Sequence, residues 1–302
     1  MRSALIACAL ACAAPAEAIV ITEAAWRANG GAEEKWDDGF AAHEARAAEP
    51  QFRAMVSLSM DGGAEYGAAS GVWLGNADGK AYVLTAAHVF GDGSKPGEYR
   101  ARTAGGTVRA GLRSFTHPGW DDDIDGSGGF DFAILELNGP IEDAGDPPIL
   151  YRGRDELGRT GVIVGYGTRG VAPFGHGYRF GPRHGDRAAA AENVVDRIRG
   201  AANGDTLTID LDEPDGPGKN RTGDLAPISA LEGILAPGDS GGSLWMNFDG
   251  EWRLVGVNSS GDPGADYQDL SNFARIATQI AWIKSVFPQA RVGGNKGETA
   301  AR

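Results

Sequence analysis

Short runs of apolar and β-branched residues recur along the chain from residue 52 onward, and Gly, Asp and Pro separate them. Runs of about four to eight residues between such turn formers are typical of β-strands. The predicted strands are 55–60, 71–74, 81–85, 108–115 and 132–137, followed by 160–164, 206–211, 242–246, 252–257 and 272–276. Many short strands at this spacing predict an all-β sandwich or barrel architecture.

The strands fall into two sets, because a stretch with three prolines at 139–158 separates them. After the second set, Ile280, Ile283 and Val286 recur at helical spacing and predict a helix over 278–286. We therefore expect one main domain over 52–288. The preceding segment, 19–51, is rich in Ala and Glu, and part of it is expected to be helical. The Gly-rich and charged tail, 289–302, is predicted to be disordered.

The first 18 residues have the pattern of an export signal. Arg2 precedes a short apolar stretch at 4–14, and small residues at 16 and 18 fit a cleavage site after Ala18. Both cysteines of the chain, Cys8 and Cys12, lie in this segment, so the mature protein is expected to have no disulfide. We predict a secreted or periplasmic protein, and lipidation at a cysteine is the lesser alternative because the preceding apolar run is short.

Composition excludes several classes of function. Of the 302 residues 42% are hydrophobic, which is enough for a packed core, and the formal net charge is −13. Because no Lys- or Arg-rich run occurs, nucleic acid is not an expected partner. No segment after the leader is apolar over about 18 residues, so stable membrane insertion is not expected either. We expect a monomer that needs no cofactor and no metal.

Three short motifs carry candidate chemistry. The pentapeptide Gly-Asp-Ser-Gly-Gly at 238–242 places Ser240 among glycines, which allow a sharp turn beside a substrate. Thr-Ala-Ala-His at 85–88 ends a predicted strand on His88, whose side chain suits general-base work near neutral pH. Asp131 precedes the apolar run 132–135. Each motif alone also fits a structural turn or strand end, but together they follow the order His, Asp, Ser.

In this order and with these motifs, the chain resembles the trypsin-like (chymotrypsin-fold) serine protease family. Weaker matches are His-Pro-Gly-Trp at 117–120, Gly-Tyr-Gly at 165–167 and the strand 254–261. The resemblance covers about 52–288. It implies two six-stranded β-barrels with a C-terminal helix, and a catalytic triad of His88, Asp131 and Ser240 in the cleft between them. The activity implied is that of a serine endopeptidase acting on proteins or peptides through an acyl-enzyme.

The resemblance also assigns the residues around the triad. The backbone N–H groups of Gly238 and Ser240 would form the oxyanion hole. Substrate would pair with the backbone at Ser259, Ser260 and Gly261. Ile234, six residues before the nucleophile, would form the base of the primary pocket, which predicts a preference for apolar P1 side chains. Alternatively, an insertion shifts the alignment and Ile234 belongs only to the core.

The resemblance further implies an activation step. Cleavage after Ala18 would expose Ile19, whose new amine would pair with Asp239 beside the nucleophile. Under the alternative, 19–51 is a pro-segment or a loose extension.

One alternative concerns a metal site, and two concern the class of function. The acidic loop at 121–125 resembles the start of a calcium loop, although Phe132 stands where a bidentate Glu is required, so a solvated loop is the preferred interpretation. Two other classes of function remain open, a protease-fold binding protein without activity and an esterase-like acyl hydrolase.

Overall fold

The computed structural model describes residues 19–91, 94–121, 127–174, 177–183, 185–200, 205–214, 221–223, 226–262, 264 and 266–294. The leader at 1–18 and the acidic loop beyond Asp121 lie outside the described residues. The predictions of export and of the calcium loop are therefore still predictions.

The segment before the main domain is folded. It contains β1 (Val20–Thr22), α1 (Glu23–Ala28) and α2 (Ala41–Ala47), with 3₁₀ turns at Asp37–Phe40 and Pro50–Phe52. The hydroxyl of Thr22 accepts the backbone N–H of Ala25 at 3.1 Å and so caps α1. Trp26 and Phe40 are fully buried in the core of the second half of the molecule. The segment is thus an integral part of the fold and not a loose extension.

The first half of the main domain is a closed six-stranded barrel. Its strands are β2 (Met55–Ser59), β3 (Ala69–Ala77), β4 (Lys80–Thr85), β5 (Arg100–Thr103), β6 (Val108–Thr116) and β7 (Ala133–Leu137). They pair in the order β2-β3-β4-β7-β6-β5. Short 3₁₀ turns follow at Ala87–Val89, Pro96–Glu98 and Ser127–Phe130. Among the described residues, each of these six strands has a neighbour on both sides, so no edge strand serves as a template for aggregation.

The second half contains more strands. They are β8 (Ile149–Tyr151), β9 (Thr160–Gly165), β10 (Thr168–Phe174), β11 (Gly177–Arg183), β12 (Ala189–Val194), β13 (Arg197–Arg199), β14 (Thr206–Asp210), β15 (Gly233–Ile234), β16 (Ser243–Phe248), β17 (Glu251–Gly261), β18 (Leu270–Arg275) and β19 (Arg291–Gly293). The main path is β12-β9-β16-β17-β18-β14-β13, and β11-β10-β1-β15 forms a separate sheet. The predicted all-β, chymotrypsin-like fold is confirmed, and the C-terminal helix is α3 (Ile276–Val286).

Two details of the second half differ from the expectation. The main path of strands does not close into a six-stranded ring, because the span 168–224 contributes several additional strands. In addition, β1 enters the small sheet, parallel to β10 and antiparallel to β15. Ile19, Val20 and Ile21 are all fully buried there. Removal of this strand would expose that apolar surface to water.

The tail also differs at its beginning. Disorder was predicted from residue 289, but β19 pairs in parallel with β8, and Ala290 is buried. The edge of β8 supplies backbone partners that a Gly- and charge-rich composition alone does not reveal. Residues 295–302 lie outside the described residues. Within the described part of the chain, no helix has both the length and the apolar character that crossing a membrane requires.

Candidate active site

The loop between β15 and β16 carries Ser240 in a conformation that requires glycine on both sides. Gly238 has φ +95° and Gly241 has φ +78°, and L side chains rarely adopt either value. A Cβ atom on Gly241 would lie 1.9 Å from Oγ1 of Thr85. The glycines therefore allow the loop to turn sharply and to approach the first barrel closely.

The first barrel supplies the other two groups. His88 lies in the 3₁₀ turn directly after β4, and Asp131 immediately precedes Phe132 and β7. Strands β4 and β7 are hydrogen-bonded neighbours, with Thr85 opposite Ala133, so both side chains emerge at the same end of the barrel. The predicted proximity of two residues 43 positions apart thus follows from strand pairing.

The three side chains form a continuous chain of contacts. Nε2 of His88 lies 2.6 Å from Oγ of Ser240, and Nδ1 of His88 lies 2.7 Å from Oδ2 of Asp131. The backbone N–H of His88 donates to Oδ1 of Asp131 at 2.9 Å, and Oγ of Ser259 donates to Oδ2 at 2.6 Å. Asp131 is fully buried and accepts three donors, so its ionised form is well solvated by the protein.

This geometry fixes the protonation pattern of a neutral imidazole. A carboxylate can only accept, so Nδ1 of His88 carries the proton and Nε2 faces the hydroxyl of Ser240 as an acceptor. Nε2 is therefore placed to take the proton of Ser240 as the oxygen attacks a carbonyl carbon, and Asp131 is placed to stabilise the resulting imidazolium. The arrangement is chemically suited to acyl transfer.

Oxyanion donors are available next to the nucleophile. Among the described residues, no protein acceptor takes the backbone N–H of Gly238 or of Ser240. Neighbouring N–H groups of the loop are bonded, for example that of Gly241 to the carbonyl of Asn258 at 2.9 Å. Two free, preorganised donors beside a nucleophile can stabilise the negative charge of a tetrahedral intermediate.

A cavity of about 280 Å³ opens beside Ser240. Ser259, Ser260 and Gly261, the residues predicted to pair with substrate, line it. Those three residues continue β17 beyond Val257, where its pairing with β16 ends, while β18 still pairs on the other side. In the described chain, the outer edge at 259–261 has no strand partner, so an extended peptide can pair there.

The predicted base of the pocket is corrected by the structure. Ile234 does not line the cavity, because its pairing with Val20 in β15 directs it into the core, where it is almost fully buried. The next residue, Leu235, lines the cavity instead, together with Ala236 and Pro237. Asp262 also lines it and forms an ion pair with Arg221. The wall that Leu235, Ala236 and Pro237 form next to Ser240 is therefore apolar. Two carboxylates belong to the lining, that of Asp262 and that of the buried Asp239.

Asp239, which directly precedes Ser240 in the chain, is fully buried. Burial raises the pKa of its carboxyl to about 7, while the N–H of Ala236, the charge of Arg169 and the N–H groups of Gly167 and Ile19 act in the opposite direction. Oδ2 accepts the N–H of Ala236 at 3.2 Å, whereas Oδ1 has no partner with hydrogen-bond geometry. The predicted pair, Ile19 and Asp239, is thus brought together, and one carboxylate oxygen is still open to a donor.

Comparison with known proteins identifies the family. The trypsin-like peptidase domain family matches residues 69–257, more than half of the chain. The chain belongs to the trypsin-like peptidase family. A search of the solved structures finds neuropsin, a serine protease expressed in the limbic system of mouse brain, with a TM-score of 0.55 and 20% sequence identity. The match covers 80% of this chain and 97% of neuropsin, and it shows a common fold. A search of the curated proteins finds no match.

Sequence reasoning missed two parts of this trypsin-like site. Leu235 was not assigned to the pocket, and Arg169, fully buried near Asp239, had no signal because a single arginine in an irregular stretch usually lies on the surface. Nothing in the described ranges groups three or more His, Cys, Asp or Glu side chains so that they could hold a metal ion.

Proposed function

We propose that this trypsin-like peptidase is an exported serine endopeptidase that cleaves proteins or peptides through an acyl-enzyme. The contact chain from Ser240 through His88 to Asp131 carries the proposal, since both hydrogen bonds are shorter than 2.8 Å. Export rests on the leader pattern at 1–18.

In the proposed reaction, Oγ of Ser240 attacks the scissile carbonyl while Nε2 of His88 takes its proton. The N–H groups of Gly238 and Ser240 bind the resulting oxyanion. The imidazolium of His88, stabilised by Asp131, then protonates the leaving amine, which departs and leaves an acyl group on Ser240. A water molecule, deprotonated by His88, releases the acyl group and restores the enzyme.

The pocket favours an apolar P1 side chain. Leu235, Ala236 and Pro237 supply apolar surface beside Ser240. The carboxylate of Asp262 is already paired with Arg221, and that of Asp239 is fully buried. A basic P1 side chain would therefore find no free counter-charge among these residues. Its charged group would lose its hydration without gaining an ion pair in return. A cleavage profile dominated by Arg or Lys would contradict this part of the proposal.

For activation, we propose that removal of the leader exposes the amine of Ile19. In the present chain, this nitrogen is a peptide N–H near the buried carboxylate of Asp239, which has an open oxygen. An ammonium there would supply both a donor and a compensating charge. N-terminal sequencing of active enzyme tests this step, and any start other than Ile19 would overturn it.

The decisive experiment compares the form beginning at Ile19 with its Ser240→Ala variant. Hydrolysis of casein or peptides and labelling by a fluorophosphonate are expected from the first and not from the second. A protease-fold binding protein would show neither signal in either form. An esterase-like hydrolase would label and cleave esters but would leave proteins and peptides intact.

A further inference from the structure

Ser70, the second residue of β3 in the first barrel, is fully buried and contacts the loop that carries Ser240 in the second half of the molecule. Its backbone N–H donates to the carbonyl oxygen of Ser240 at 2.8 Å. Its hydroxyl donates to the carbonyl oxygen of Gly238 at 3.0 Å. One residue therefore holds the carbonyls of both residues whose N–H groups are the proposed oxyanion donors.

The direction of the hydroxyl bond is fixed by a third contact. The backbone N–H of Tyr166 donates to Oγ of Ser70 at 2.9 Å, and an amide N–H can only donate. The single proton of the Ser70 hydroxyl is therefore committed to the carbonyl of Gly238. The carbonyl of Ser70 in turn accepts the hydroxyl of Thr85 at 2.8 Å, so every polar group of Ser70 is used.

Such an anchor is needed because Gly238 is conformationally free. Glycine adopts positive and negative φ with similar ease, so its own backbone does not enforce the observed +95°. Rotation at Gly238 would turn its N–H away from the substrate oxygen. Fixing the carbonyl of the same residue restricts this rotation, and the planar peptide transmits the restraint to Asp239. Ser240 is restrained separately, because its own carbonyl accepts the N–H of Ser70.

We propose that Ser70, in the first barrel, is a positioning residue that preorganises the oxyanion donors of Gly238 and Ser240 in the second half of the molecule. The proposal rests on the proposed function of Ser240 as the nucleophile. Ser70 does not contact substrate, so its contribution is confined to the transition state, where the oxyanion charge develops.

The test is Ser70→Ala, which removes the hydroxyl and leaves the backbone N–H bond to Ser240. A direct oxyanion donor is worth about 10²–10³ in kcat, so this indirect loss is expected to lower kcat by about tenfold to hundredfold, with KM within about twofold. The affinity for a peptide boronate, whose tetrahedral adduct places an oxygen between the same donors, should fall in parallel. Ser70→Thr, which keeps the hydroxyl, should restore most of kcat.

The matched control is Ser57→Ala. Ser57 lies opposite Ser70 in the β2–β3 ladder, is also buried, and its hydroxyl accepts the N–H of Gly67 at 2.9 Å. This variant should lose stability without losing kcat, which separates a structural effect from positioning. If Ser70→Ala does not fold, Ser70→Cys carries the test, because its weaker donor should still lower kcat severalfold.

Two results would overturn the proposal. One is a folded Ser70→Ala or Ser70→Cys enzyme with the kcat and boronate affinity of the parent. The other is a rise in KM at constant kcat, which would assign Ser70 to substrate binding. Failure of the proposed function is distinct, because the parent enzyme itself would then show no peptide hydrolysis dependent on Ser240.

Discussion

The hydroxyl of Ser259 donates to Oδ2 of Asp131 over 2.6 Å, and the same oxygen faces Nδ1 of His88 over 2.7 Å. The strand proposed to pair with substrate is thus also in direct contact with the buried carboxylate. Under this proposal, substrate binding and the orientation of the imidazole depend on one short segment of β17.

Ser259→Ala removes one of the three donors to Asp131. A hydrogen bond to a charged group contributes about 1.5–3 kcal/mol of free energy. Only part of this free energy stabilises the transition state, so kcat is expected to fall about tenfold. Initial rates on a peptide substrate measure this. Ser285→Ala, an exposed serine on α3, is the control. An unchanged kcat would mean that His88 alone orients the carboxylate.

Leu235→Ala is expected to widen the pocket and to shift the P1 preference toward larger aromatic side chains. The backbone N–H of Leu235 donates to Oγ of Ser271 at 3.0 Å, and this bond survives the substitution. A peptide-library cleavage profile measures the shift. Ile234→Val is the control, because it should cost about 0.5–1.5 kcal/mol of stability without changing the profile. A profile that changes with Ile234 and not with Leu235 would restore the original assignment.

A free amine at Ile19 is expected to raise activity over a form that retains an added Met before Ile19. Burying Asp239 without a partner is costly, so kcat/KM of the extended form should be lower by about tenfold at neutral pH. The pair raises the pKa of the amine above its usual value of about 8, so the advantage is present below that value and is lost as pH rises through the raised pKa. Equal activity of the two forms would contradict the proposed pairing and would indicate that Arg169 alone balances the charge of Asp239.

The contribution of three partly buried carboxyl groups to stability is expected to decrease as pH rises from about 4 to about 7. Burial raises the pKa values of Asp196, Asp212 and Glu232 to about 7, and neighbouring carboxylates add to each shift. Because the folded state holds these protons more tightly than the unfolded state, their ionisation costs stability, and the cost persists above pH 7.

Asp196→Asn tests this, since an amide can donate to Asp210 without adding charge. The substitution should stabilise the protein by on the order of 1 kcal/mol at pH 8, a value that allows for screening of the charges by solvent. At pH 4, where Asp196 is protonated, it should have little effect. Urea unfolding at both pH values measures the difference, and the exposed Asp249→Asn is the control. Equal effects at both pH values would contradict the assignment.

Local patterns predicted the elements that carry the triad. The motif ending in His88 and the apolar run after Asp131 each mark a strand terminus, and strand pairing then brings the two residues together. Counting six residues back from Ser240 gave Ile234 as the pocket residue, whereas the structure places Leu235 there. Side chains alternate along an extended segment, so an error of one residue exchanges a core position for a cavity position.

Other contacts had no local signal. The three residues of β1 are too few for a pattern, and their partners in β10 and β15 are about 150 and 210 positions away. In the sequence, Ser70 is a polar residue directly before the predicted strand 71–74, and no pattern distinguishes it. Its importance depends on a neighbour 168 positions later in the chain, which only the folded molecule identifies.

Because the first barrel holds His88 and the second half of the molecule holds Ser240, a small shear between the two halves would separate these side chains while leaving every strand intact. A displacement of about 1 Å at a reacting centre can reduce rates about 10²-fold. Peptide hydrolysis should consequently decrease at denaturant concentrations where the circular dichroism spectrum is still unchanged. Because the strands are intact in this state, activity should return immediately when the denaturant is diluted.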